Sequence, residues 1–72
     1  MKIIYVRLLD EDVDVFRPVE AKEISSGVFE LQSAQGQSFE GEVWEFERGR
    51  KVSVEQRALS EGEVPVAVRY VD

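Results

Sequence analysis

Apolar and polar side chains alternate along most of this chain, and clusters of turn residues break the alternation at short intervals. Ile4, Val6 and Leu8 recur at spacing two, as do Val13, Val15, Val19 and Ala21, with Arg17 interrupting the series. Phe29 with Leu31, Trp44 with Phe46, Val52 with Val54, and Val64 with Val66 and Val68 continue the pattern. A period of two puts such residues on one face of a strand. The breaks fall at residues 10–12, 25–27, 33–38, 47–50 and 60–63, where Gly, Ser, Gln and acidic residues gather, and this rhythm predicts hairpins. A helix fits poorly, because β-branched residues recur at spacing two and Gly or Ser cuts each window before a third turn. Only residues 54–59 leave a helical turn as the alternative to a strand.

The predicted fold is all-β, with one domain over residues 1–72. About six short antiparallel strands at this size do not make a stable open sheet with two wet faces, so the sheet is expected to curl into a small barrel or tight sandwich. Pro65 lacks an N–H for the ladder and belongs on an edge or at a strand start. Trp44 and Phe46 are expected in the core, since aromatic side chains bring the largest apolar area. Other apolar residues are out of phase. Ile3 and Tyr5 oppose the Ile4, Val6 and Leu8 face, Phe16 is out of step with Val13 and Val15, Phe39 shares parity with Val43 and not with Trp44, and Val71 opposes Tyr70. Ile3, Tyr5, Phe16, Phe39, Val43 and Val71 are therefore the candidate interaction residues, covered either by a loop of the same chain or by a partner.

Composition narrows the chemistry. The 72 residues include no Cys and no His, which removes disulfides, thiolate or imidazole metal ligands, and the side chain that most readily moves protons near neutral pH. Fifteen acidic against nine basic residues give a formal charge of −6, a field that repels phosphate backbones and disfavours nucleic acid as a partner. Residues 3–6 form an apolar run that Arg7 ends, too short for a signal peptide or a membrane span. A cytoplasmic protein with no membrane contact is the expectation.

Trp44-Glu45-Phe46, then Gly49, then Val52-Ser53-Val54 resembles the strand, glycine turn and strand of SH3-like small barrels over residues 44–68. A wider set of segments, residues 17–21, 27–31, 44–46 and 49–64, also looks like a group of short bacterial proteins that brings no known activity. The resemblance implies an SH3-like barrel. It does not carry a ligand across, because the Tyr-rich opening of eukaryotic SH3 peptide binders is missing and the basic surface of ribosomal relatives is replaced by acid.

Three groups of residues bear on function. Asp10, Glu11, Asp12 and Asp14 alternate as a calcium loop begins, but an EF-hand from Asp10 requires Gly where Val15 stands and a bidentate acid where Ala21 stands. They read as a solvated turn, or as an acidic patch for a basic partner. Arg48, Arg50 and Lys51 are the one basic cluster, a candidate anion contact or a charged hairpin tip. Ser25, Ser26 and Ser60 have no histidine to activate them. No catalytic residue, metal site, cofactor or small-molecule substrate is expected. The leading expectation is a non-catalytic protein-interaction module or small accessory subunit, with self-association included. The alternatives are an acidic antagonist that docks on a basic protein, as an immunity protein, antitoxin or nucleic-acid mimic does, and a weak nucleic-acid-binding barrel.

Overall fold

A computed structural model describes residues 2–9, 15–34, 43–60 and 62–71. Six strands follow the alternating runs: β1 (Lys2–Leu9), β2 (Val15–Ser25), β3 (Val28–Ala34), β4 (Val43–Trp44), β5 (Lys51–Leu59) and β6 (Gly62–Tyr70). No described residue is helical. Residues 54–59 are strand, because β6 returns directly after them and offers a full antiparallel partner, with Gln56 opposite Pro65, Arg57 opposite Val64 and Leu59 opposite Gly62. β3 continues through Ser33 and Ala34, where composition alone reads as a turn. There the ladder to Glu20 and Val19 overrides local preference.

The strands form one sheet in the order β2-β3-β5-β6-β1-β4, and β1 also pairs with β2. Five strands thus close a ring, and β4 is a short appendage on the end of β1. A ring with an odd number of strands cannot alternate direction throughout. One pair must run parallel, and that pair is β1 with β6, joined at Tyr5 and Val66. All the other pairings are antiparallel, the longest being β5 with β6, from Val52 opposite Tyr70 to Leu59 opposite Gly62, followed by β1 with β2, from Lys2 opposite Ala21 to Leu8 opposite Val15.

Register shifts curl the sheet. One residue of β2, Ile24, is extra between the pairs Glu23 with Phe29 and Ser25 with Val28; Gln32 is extra on β3 and Val68 on β6. Each such bulge bends its strand and deepens the twist, which lets a short sheet close on itself. The bulge at Val68 also exchanges the two faces of β6. Below it Ala67 lies opposite Val54 and faces the core, so Val66 lies opposite Glu55 on the outside.

The interior holds Ile4, Val6, Val19, Ala21, Phe29, Leu31, Phe46, Val52 and Ala67, with Trp44 and Val54 partly buried against it. Leu8 is buried beside them. The alternation of β1 and β3 is therefore realised as read, whereas Ala67 takes the core position that periodicity assigns to the valines of β6. A core of mostly medium-sized aliphatic residues has little to spare at this size.

Two turns depend on glycine. Gly27, at the tip joining β2 to β3, has φ 78°, and Gly49, before β5, has φ 85°. Gly49 also donates its N–H to the Leu31 carbonyl at 2.8 Å, fastening the turn to β3. A Cβ at either position meets no atom within 4 Å, so Gly27→Ala and Gly49→Ala are expected to cost only the left-handed backbone term, about 1–2 kcal/mol each. Leu31→Ala, which leaves a cavity at the centre, is expected to cost about 2–5 kcal/mol. Urea unfolding midpoints check this order, and a Gly→Ala loss equal to that of Leu31→Ala would contradict it.

Candidate interaction surface

The residues out of phase with the core come together on the outside of β1. Ile3, Tyr5, Arg7 and Leu9 alternate outward along that strand, opposite to buried Ile4, Val6 and Leu8. Antiparallel pairing sets Pro18 of β2 beside Tyr5 and Phe16 beside Arg7. The parallel bridge sets Val66 beside Tyr5 from the other side, and β4 sets Val43 beside Leu9. Directly opposite residues share a face, so these side chains make one outward layer. Leu9 and Val43 are 37% and 42% exposed, next to each other.

Ile3, Tyr5, Phe16 and Pro18 are half-buried, and Val66 is only 2% exposed although it lies outside the core cluster. The outer face thus has an apolar layer of its own. Over it lies an open pocket of about 190 Å³, with Phe16, Val66 and Val68 among its apolar lining and Arg7, Glu45 and Arg57 among its polar lining. Small-molecule sites enclose about 300–1,000 Å³. This pocket is smaller and open, of a size for one side chain of a partner.

Sequence reasoning finds Ile3, Tyr5, Phe16 and Val43, and the fold places all of them on this face. It misses Leu9, whose parity with Ile3 and Tyr5 is a usable signal, and Pro18 and Val66, for which local sequence carries none. Val71 is elsewhere: it is half-buried at the end of β6, and its N–H donates to the Lys51 carbonyl at 2.9 Å. Phe39 and the acidic run Asp10, Glu11, Asp12 and Asp14 lie outside the described residues.

The basic cluster is tied to aromatic rings. The Arg48 guanidinium lies 5.7 Å from the centre of the Trp44 ring, and that of Arg50 lies 4.3 Å from the centre of the Tyr70 ring. Lys51 is exposed at the start of β5. Tyr70 packs edge-on against Phe46, with centroids 5.0 Å apart, and its hydroxyl accepts the Glu47 N–H at 2.9 Å. Tyr70 therefore clamps the turn between β4 and β5, and the two arginines are spread over separate rings.

No helix long and apolar enough to cross a membrane occurs among the described residues. No family model matches the chain, and no curated protein and no solved structure shows significant similarity to it.

Tyr70→Phe keeps the edge-on packing and the arginine contact and removes only the acceptor for Glu47. It is expected to destabilise by about 0.5–1.5 kcal/mol, and Tyr70→Ala by about 2–3 kcal/mol, less than for a fully buried aromatic because the ring is 37% exposed. Chemical denaturation of the two variants separates the hydroxyl from the ring, and equal losses would contradict the clamp.

Proposed function

We propose that this chain is a non-catalytic, cytoplasmic protein-interaction module that binds a partner through the outer face of β1. The observation that carries the reading is the register that gathers Tyr5, Phe16, Leu9, Val43 and Val66 on one outward layer. Among these, Leu9 and Val43 are substantially exposed. An apolar centre with a charged rim is the anatomy of a protein interface, and Arg7, Glu45 and Arg57 supply such a rim around the pocket. A barrel this small gains little from half-exposed apolar side chains unless something covers them.

The partner-facing chemistry is apolar contact with a few oriented charges. Binding of this kind depends weakly on ionic strength. Docking of an acidic antagonist on a basic protein, by contrast, weakens steeply as salt screens the charges.

The test is capture of host proteins by the chain, compared with Tyr5→Lys and Leu9→Lys variants, at low and at high salt. Both positions are on the surface layer, so folding by circular dichroism is expected to persist. The expected result is a partner retained at high salt and lost, by about tenfold or more, from both variants, as for removal of an interface anchor worth about 1.4 kcal/mol or more. Capture that survives both substitutions, or that vanishes on adding salt, contradicts the proposal; the second outcome favours the acidic antagonist.

A further inference from the structure

The β5–β6 hairpin outreaches its neighbours. β3 pairs β5 only through Val28, Phe29 and Glu30, opposite Ser53, Val52 and Lys51. Beyond that, the Val54 N–H donates to the Gly27 carbonyl at 3.3 Å, at the tip of the β2–β3 hairpin. Among the described residues, 55–59 pair with β6 on one side only.

The direction of the free backbone groups follows from those bonds. The Arg50 carbonyl accepts from Leu31 and the Val54 N–H reaches Gly27, so even-numbered residues of β5 turn toward β3; the Lys51 carbonyl accepts from Val71, so odd-numbered ones turn toward β6. The register shift in this hairpin adds its extra residue to β6 and leaves β5 regular. Gln56 and Ala58 therefore present their N–H and C=O groups to the open edge. Pro65, opposite Gln56, turns its missing N–H away from β5, at no cost to the ladder.

Exposed edges are usually blunted by Lys, Pro, a bulge or uncompensated charge. Residues 55–59 have none of the first three. Their charges, Glu55 and Arg57, stand on one face, both 53% exposed, and neutralise each other at 3.3 Å. The described ends that lead into the undescribed segments, Leu9, Val15, Ala34 and Val43, belong to the other end of the barrel. There β1 meets β4, and β3 has run past Val28 and away from the Gly27 tip.

We infer that this edge pairs with the same edge of a second copy, antiparallel, about a two-fold axis at Arg57. Gln56 then faces Ala58 of the other copy and Ala58 its Gln56, so all four outward groups of each strand segment are used. Arg57 faces the second copy's Arg57 and stands diagonal to its Glu55. With each arginine already beside its own Glu55, the two pairs form a neutral cluster of four charges. This contact uses the backbone groups of Gln56 and Ala58; it shares Arg57 with the rim of the partner-binding pocket, so Ala58→Pro, which touches only the edge, and Tyr5→Lys, which touches only the outer face of β1, tell the two readings apart.

A five-residue edge is far short of the roughly 1,200–2,000 Å² of a standard stable interface. The dimer is therefore weak and reversible. The charge of −6 on each copy adds repulsion, which near-physiological salt screens at a Debye length of about 8 Å.

Sedimentation velocity of the full chain from micromolar to millimolar concentration, at near-physiological salt, tests the inference. Wild type is expected to dimerise with rising concentration. Glu55→Arg and Arg57→Glu are each expected to be monomeric, since each places four like charges at the two-fold. An equimolar mixture of the two is expected to associate more tightly than wild type, because Arg57 of the first variant then faces the acid introduced at the same position of the second. The double exchange Glu55→Arg with Arg57→Glu is expected to dimerise again. Ala58→Pro, which removes an outward N–H without touching the ladder to β6, is expected to abolish association, whereas Tyr5→Lys leaves it intact. A wild type that is monomeric throughout, a mixture that does not associate although both variants are folded by circular dichroism, or an Ala58→Pro chain that still dimerises overturns it.

Discussion

A ring of five strands cannot alternate direction all the way round, and in this barrel the mismatch falls between β1 and β6. The parallel bridge from Tyr5 to Val66 carries it. Without that bridge, β1 and β2 pair on one side and β5 and β6 on the other, and the sheet is an open meander with Ile4 and Val6 facing water. With it, those residues are sealed beneath β6, and the outward residues of three strands meet as a second layer. Core and surface are two sides of one closure.

Much of this is legible in the amino-acid sequence because a two-residue period fixes faces without reference to partners. Ile4, Val6 and Leu8 and then Phe29 and Leu31 declare their inward side. Ile3, Tyr5 and Phe16 declare themselves as apolar residues left on the other. What is illegible depends on bulges and on long-range pairing. The extra residue at Val68 exchanges the faces of β6, so Ala67 and not the neighbouring valines meets Val54. Nothing local marks it. Likewise Pro18 and Val66 join the outer layer only because β2 and β6 flank β1 at Tyr5, a relation between residues about a dozen and about sixty positions apart, which periodicity does not encode. Ile24 is exposed because it has the parity of outward Glu20 and Lys22 and lies at the end of β2, where residues 22–25 all face solvent.

The surface is divided by chemistry. The outside of β1 is apolar with a charged rim. The turn between β4 and β5 holds its arginines on Trp44 and Tyr70, which joins the basic cluster to the aromatic packing of the barrel. The distal half of β5 offers backbone. Each region follows from the same economy: a 72-residue ring fills its interior with few side chains, and the remaining apolar and hydrogen-bonding capacity is left outside. A closed barrel leaves little ladder exposed, so the overhang of β5 beyond the β2–β3 tip is a local exception to the rule that closure removes edges.

Backbone nuclear magnetic resonance at the closing bridge tests the account most directly. Interstrand nuclear Overhauser contacts between residues 4–6 and 65–67, together with amide protection in the middle of β1 that matches the β5–β6 ladder, are the expected result. Absence of those contacts, with the β1 amides exchanging freely on the side facing β6, would show an open sheet and remove both the buried core and the outer layer at once.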